Sequence, residues 1–279
     1  MHKLPFPKSF FTASSPFKLI HSDLWGPVLT SSLNGFKYYV LFIDHFTKFT
    51  WIYLLNSKSE VFTKFVQFKA IVETQFSIKI KTFSSDGGGE YTSNAFKTYI
   101  SQQGIVHQVS CPYTPQQNGL VERTHRHLIE TTITLLSQAS MPPSYWSYAM
   151  LTAMHLINLL PTSVLAFYSP WNKLYFVSPD LSQLKVFGCA CYPHLRPYTP
   201  HKLAPRSTEC IFLGYPMGTK GYLCLDSTTK HLYTSRHVIF NESRFLYSLL
   251  TNSFPPNSSP PFSSDLSWFS NLLYLHFTN

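Results

Sequence analysis

The sequence has 279 residues, of which 22 are Lys or Arg and 13 are Asp or Glu, for a formal net charge of +9. A chain of this length exceeds one typical domain and buries a core without covalent staples, so two units are expected and a disulfide-held miniprotein is excluded. Charged residues make up only 13% of the chain, so the basic balance reflects few acids; it points towards nucleic acid or an anionic membrane without specifying a fold.

Residues 1–15, rich in Pro, Phe, Lys and Ser, read as an irregular lead-in. FKLIHSDLWGPV (17–28) predicts a strand ending near Gly26-Pro27. FKYYVLFIDHF (36–46) and KFTWIYLL (48–55) are dense in aromatic and β-branched residues and predict two more strands, the first apolar enough to be buried on both faces. From Ser57 to Phe76 the apolar residues fall at 61, 65, 68, 72 and 76, the spacing of one helix face, and Ser57 with Glu60 has the form of a capping box. IKIKTFSS (78–85) alternates and predicts a strand running into Asp86. A helix over about 93–103 stops near Gly104, IVHQVS (105–110) is a fifth strand, and CPYTPQQNG (111–119) is a loop. Helices over about 119–139 and 144–160 follow, parted by Met141-Pro142-Pro143. Three strands, helix, strand, helix, strand and then helices make a mixed α/β layer with an antiparallel start and a later crossover.

From about residue 184 the texture changes. KVFGCACYPHL, ECIFLGYP, KGYLCLD and HLYTSRHVIF are short runs between turn residues and predict a small all-β barrel. Residues 1–15, 16–165, 166–183, 184–246 and 247–279 are therefore assigned as lead-in, mixed α/β core, connector, barrel and Pro/Ser-rich tail. The five cysteines, Cys111, Cys189, Cys191, Cys210 and Cys224, are odd in number and irregular in spacing, which fits reduced intracellular thiols. Cys189-x-Cys191 lacks the spacing of a zinc hook, although His194 and His201 lie near enough to raise that reading. No hydrophobic run approaches the ~20 residues of a membrane span, and no apolar signal sequence opens the chain. A soluble chain of the cytoplasm or nucleus, with no membrane partner, is expected.

The acids carry the chemistry. Asp23 ends the first predicted strand, Asp86 follows the fourth, and Glu122 sits in the first turn of the helix after the 111–119 loop. If the first and fourth strands are neighbours, both aspartates leave the sheet at one edge, and a helix beside that edge can bring Glu122 to the same space. Magnesium takes hard oxygen ligands, and two such ions about 3.5–4 Å apart clamp the attacking and leaving oxygens of a phosphoryl displacement. Gly87-Gly88-Gly89 would let a phosphodiester backbone approach. Taken singly, each acid is also ordinary turn or helix-start chemistry. On the helix, Val121, Leu128 and Leu135 form one stripe, Arg123, Arg126 and His127 lie opposite, and Glu122 falls at the border. The basic side can meet phosphates or be a solvated face paired by Glu130.

HSDLWGP, YYVLFIDHFTKFTWIYLL, SSDGGGEYTSNAF, PYTPQQNGLVERTHRHLIET, YWSYAMLTAMHLINLLPT and KLAPRSTECIFLGY resemble the integrase of copia-type LTR retrotransposons, plant elements in particular, over about residues 3–246. The resemblance implies a ribonuclease-H-like core, a mixed five-stranded sheet flanked by helices, followed by a small β-barrel. It implies a D,D(35)E active site with Asp23, Asp86 and Glu122 as catalytic residues and ligands of Mg2+, or of Mn2+ in its place; 35 residues separate the last two (122 − 86 − 1). It also implies double-stranded DNA as partner, contacted by Gln116, Gln117, Asn118, Arg123 and Arg126, and a homo-oligomer. Gly87 stands where relatives often have Asn, and Asp44-His45 where they often have Asp-Asp, so Asp44 receives no catalytic role. The family carries an N-terminal His/Cys zinc domain, and this sequence opens at HKLPF, where that domain would be ending, so a fragment of a longer polyprotein is expected. A catalytically silent nucleic-acid-binding remnant and a ribonuclease-H-type nuclease stand as alternatives.

Overall fold

The computed structural model of the protein describes residues 13–111, 118–198, 205–216 and 218–252, which divide into two units. The first takes in the chain up to Trp25, Tyr39–Val121 and Leu160–Ser178; the second takes in Gly26–Tyr38, Glu122–Leu159 and the chain from Pro179.

In the first unit, β1 (Leu19–Trp25) pairs antiparallel with β2 (Tyr38–Asp44), Ile20 opposite Asp44 and Trp25 opposite Tyr39. β3 (Thr50–Leu55) lies beyond β2. On the other side β1 runs parallel to β4 (Thr82–Ser85), and β4 runs parallel to β5 (Val106–Val109), giving the order β3-β2-β1-β4-β5. This is the predicted mixed sheet of ribonuclease-H-like type.

Helix α1 (Val61–Phe76) buries Val61, Phe65, Phe68 and Val72, four of the five positions in the predicted stripe. Phe42 of β2 stacks on Phe68 at 4.5 Å, and Phe65 meets Phe83 of β4 at 4.6 Å. Such ring pairs add ~0.5–1.5 kcal/mol each beyond the area they bury, so this cluster ties the helix to two strands at once. A 3-10 turn (Lys58–Glu60) leads into the helix, with the Glu60 carboxylate accepting a hydrogen bond from the Ser57 backbone N–H at 2.8 Å, as the capping box requires.

One predicted strand is shorter than expected, and one helix was not predicted. The strand expected over 78–85 is confined to Thr82–Ser85, because the Ile80 N–H donates to the Glu73 side chain at 3.0 Å instead of joining a ladder. The helix expected over about 93–103 is α3 (Asn94–Gln102), and a short unforeseen helix, α2 (Gly89–Thr92), precedes it. Ser93 breaks them with extended backbone and caps α3 by accepting from the Phe96 N–H. After the second unit's helices the chain adds α6 (Pro170–Tyr175) to the first unit, whose Trp171 and Tyr175 rings pack by Phe49.

The second unit contains most of α4 (Gly119–Gln138) and α5 (Trp146–Leu159). Pro143–Leu165 is long and apolar enough by composition to cross a membrane, which corrects the expectation of no such run; 44% of its most apolar window is buried, and α5 packs on the second sheet as a core helix does. That sheet joins β6 (Cys189–Pro193), β7 (Cys210–Gly214), β8 (Tyr222–Asp226), β9 (Leu232–Ser235) and β10 (Val238–Phe245) in the antiparallel order β10-β6-β7-β8-β9. The run HLYTSRHVIF is thus two strands; the Ser235 hydroxyl donates to the His237 carbonyl at 3.1 Å across the turn between them. A last helix, α7, spans Leu246–Asn252.

Cys189, Cys191, Cys210 and Cys224 are free, fully buried and packed around Phe212 in the core of this unit. They are core side chains, not zinc ligands, since the nearby His194 is exposed while the thiols face inward; His201 lies outside the described residues. Gly188, at φ +79°, passes so close to the end of α4 that a Cβ would sit 2.2 Å from that of Ala139, so only glycine fits there.

Candidate active site

The parallel register of β1 and β4 sets Leu19 against Thr82, Ile20 against Phe83 and His21 against Ser84. Carrying that register two residues further brings Asp23 level with Asp86 (23 − 21 = 86 − 84). Neighbouring strands lie about 4.8 Å apart, and residues level on parallel strands point the same way. The condition set by the sequence, that the first and fourth strands are neighbours, is met, and Asp86 follows directly on the end of β4.

The electrostatics agree. The Asp86 carboxyl is held above the usual carboxylate range, first by burial, then by the negative charge of Asp23, with Glu90 adding to it. The Gly88 N–H, donating to Asp86 Oδ1 at 3.1 Å, and the Lys58 ammonium pull the other way. Below the acids, the buried Tyr91 hydroxyl bonds to the Ser22 hydroxyl at 2.8 Å, with burial and then Asp23 keeping the phenol protonated. Two residues before Asp23, His21 hydrogen-bonds to His45 at 2.8 Å, and burial, then His45, lowers its pKa to about 4. These imidazoles are uncharged at neutral pH and bring no cation to the acids.

The glycine triplet needs a correction. None of Gly87, Gly88 and Gly89 has a positive φ, and the space beside Gly88 is taken by Glu90, whose carboxyl would lie 2.8 Å from an added Cβ. Gly89 alone has nothing within 4 Å, so room for a substrate is left there and not along all three. The placement of Glu90 was not legible beforehand, because it depends on the helical turn of α2 folding the chain back over Gly88.

Asp44 has a structural role. It is fully buried and accepts from the Phe17 N–H at 2.8 Å, the Thr47 N–H at 2.8 Å and the Thr47 hydroxyl at 2.7 Å. Glu122 lies half-buried in the first turn of α4 and belongs to the second unit. On the same helix Leu128 is buried, Leu135 is half-buried, and Arg123, Arg126 and His127 are exposed, the two-sided pattern the wheel predicts. Asn118 immediately precedes α4, half-buried, whereas Gln116 and Gln117 lie outside the described residues. Among the described residues no three His, Cys, Asp or Glu side chains are gathered closely enough to hold a metal ion. A pair of level, mutually repelling aspartates nevertheless fits a divalent cation, since magnesium is commonly bound by one or two carboxylates with water and phosphate oxygens completing its shell.

Residues 13–115 match the integrase core domain family, and residues 189–253 match the retroviral polymerase SH3-like domain family. The retrovirus-related Pol polyproteins of transposons RE2 and RE1 from Arabidopsis thaliana are 49% and 50% identical over 95% and 88% of this chain. That of transposon TNT 1-94 from Nicotiana tabacum is 39% identical over 87%. The chain spans under a fifth of these polyproteins, 18%, 17% and 18% of their lengths. A chain of the simian T-cell lymphotropic virus intasome, solved in complex with the PP2A regulatory subunit B56 gamma, superposes with a TM-score of 0.52 at 18% identity, covering 87% of this chain and 84% of that one; at that identity the likeness is one of fold. The chain joins an integrase core domain to a retroviral SH3-like domain and is similar to the corresponding stretch of the Pol polyproteins of copia-type plant retrotransposons.

Proposed function

We propose that this chain catalyses DNA integration as a metal-dependent polynucleotidyl transferase of the D,D(35)E class. It trims the 3′ ends of element DNA by hydrolysis and joins the freed 3′-hydroxyls to target DNA. The observation that carries this reading is the parallel pairing of β1, which bears Asp23, with β4, which Asp86 directly follows, together with the Asp86 carboxyl raised by burial and by the charge of Asp23. Two acids crowded against each other at a sheet edge weaken the fold unless a cation joins them.

Asp23 and Asp86, with Glu122 as third carboxylate, would hold Mg2+ or Mn2+, which when bound stabilises the charge that develops on phosphoryl oxygens. The chain's own groups do the rest. The Gly88 N–H holds one oxygen of Asp86 and so orients the other. The open side of Gly89 admits a phosphodiester backbone. Arg123 and Arg126, exposed on α4, meet phosphates of double-stranded DNA, with Gln116, Gln117 and Asn118 beside them. Phosphate contacts position DNA without reading its sequence. The active species is a homo-oligomer acting in the nucleus or the cytoplasm.

The test is a strand-transfer assay on labelled duplex ends in magnesium, comparing the wild type with Glu122→Gln. Activity in the wild type that the variant lacks supports the assignment, and equal activity removes Glu122 from the site. Inactivity of both with DNA binding intact favours a silent binding remnant, and cleavage of an RNA–DNA hybrid in preference to joining favours a ribonuclease-H-type nuclease.

A further inference from the structure

β5 is an end strand of the first sheet, and its residues Val106, Gln108 and Val109 are exposed. His107 alone on this strand turns inward. Its ring lies 5.8 Å from that of Phe83 and 5.7 Å from that of Phe96, both fully buried. An apolar side chain would fill such a setting without leaving a polar atom to satisfy. The imidazole has a definite destination for that atom. In the parallel pairing His107 stands opposite Phe83, and Ser85, two residues further on, shares the face of Phe83. His107 Nε2 lies 2.9 Å from the buried Ser85 hydroxyl, which donates to the carbonyl of Asp86 at 2.9 Å.

The chemistry orders these bonds. A serine hydroxyl has one proton to give and two lone pairs to receive with. The Asp86 carbonyl can only accept, so it takes that proton. The imidazole is then the donor, with its proton on Nε2 and Nδ1 left as acceptor. Burial, then the Lys97 ammonium, lowers the His107 pKa, so the ring donates uncharged at neutral pH. What the relay fixes is the peptide that follows β4. The strand ends at Ser85, whose carbonyl accepts from the Ser110 N–H at 3.0 Å, and Asp86 lies beyond it. The Gly88 N–H holds Asp86 Oδ1 at 3.1 Å, but from within a run of glycines, which restrain the backbone least. The bond from Ser85 is anchored in the sheet.

We infer that His107 is a positioning residue for Asp86: it donates from Nε2 to Ser85, and Ser85 in turn holds the Asp86 carbonyl. The second carboxylate of the site is thus aimed from β5, a strand that bears no acid itself. The inference rests on the reading of Asp86 as a metal ligand. Partners one bond removed from a ligand change metal affinity or activity about 10–100-fold when they are lost.

The test compares the full chain with two variants. His107→Phe keeps a ring between Phe83 and Phe96 but has no donor, and His107→Gln places an amide N–H where Nε2 stood. Strand transfer per folded molecule in magnesium should fall at least about tenfold in His107→Phe and largely return in His107→Gln. Ser85→Ala should match His107→Phe, and the double variant should lose little more, as two members of one relay do. Full activity in His107→Phe, an equal loss in His107→Gln, or losses that multiply overturn the proposal. Two readouts need neither metal nor turnover. The 15N resonances of His107 should report the neutral Nε2–H tautomer, and an Nδ1–H tautomer refutes the relay. The Gly87 and Gly88 amide resonances should move in His107→Phe and far less in His107→Gln; if they stay put, the ring only fills space and the proposal fails. A wild type that joins no DNA while both signatures appear overturns the metal-ligand reading and leaves the positioning of Asp86 in place.

Discussion

Asp86→Asn should make the metal-free protein more stable. The side chain keeps its shape, and its Oδ1 can still accept the Gly88 N–H. What disappears is a carboxylate raised by burial and by the charges of Asp23 and Glu90. Two unit charges at the strand spacing of about 5 Å repel by about 3 kcal/mol at an effective dielectric constant near 20. Both aspartates are half-buried, so solvent screens much of this and about 1 kcal/mol remains. For a unit of this size that is a rise in Tm of roughly 2–4 °C in EDTA. The pH dependence has a definite sign. A carboxyl whose folded pKa is raised favours the fold while protonated and loses that contribution as pH rises through the folded value. The variant's advantage should therefore be present at neutral pH and vanish on acidification into the ordinary carboxylate range. Magnesium should reverse the order, because the wild type gains about 2.7 kcal/mol at a hundredfold excess over Kd and the variant much less. Thermal melts with EDTA or magnesium, at neutral and acidic pH, decide the matter. A destabilised variant in EDTA, or equal magnesium shifts in both proteins, would refute the reasoning.

Further outcomes are expected. Glu122→Gln should reduce strand transfer at least about a hundredfold, because each decade costs 1.36 kcal/mol and charge stabilisation is worth several; its fold should weaken by only ~0.3–1 kcal/mol from the lost helix-dipole interaction. DNA affinity should fall steeply with salt, and Arg123→Ala with Arg126→Ala should flatten the log–log slope by roughly 2, since each phosphate contact contributes about 0.9; salt-insensitive binding would leave the exposed side of α4 a solvated face. Asp44→Ala strands two buried N–H donors and should cost about 3 kcal/mol or more in chemical denaturation, while activity per folded molecule persists. Gly88→Ala should change stability by under about 1 kcal/mol, because the atom it meets is the end of a flexible glutamate; a large loss in a thermal melt would mean that something less yielding fills that space.

Most of the first sheet was legible because its signals are local. The β-rich runs before Asp44 and Leu55 and the helix stripe 61–65–68–72 each follow from side-chain periodicity, and each forms where expected. The neighbour relation of β1 and β4, on which the sequence reading of the acids was conditional, is present in the pairing. What escaped was decided by single hydrogen bonds and by turns. The capture of the Ile80 N–H by Glu73 shortens β4, and a helical turn, α2, forms from the last of the three glycines. Neither alters the apolar pattern, so periodicity could not reveal them.

The parallel pairing of β1 with β4 bears on how Asp23 and Asp86 come together. The two acids are separated by 62 residues (86 − 23 − 1), and β1, which bears the first, is parallel to β4, which leads into the second, so no local hairpin can bring them together. Their meeting is a long-range closure, intrinsically slow, and the carboxylates themselves oppose it. The force that completes it comes from Phe42, Phe65, Phe68 and Phe83, all fully buried. A lesion in that aromatic cluster would therefore present as a catalytic defect, delaying or misaligning the closure while every acid remained in place.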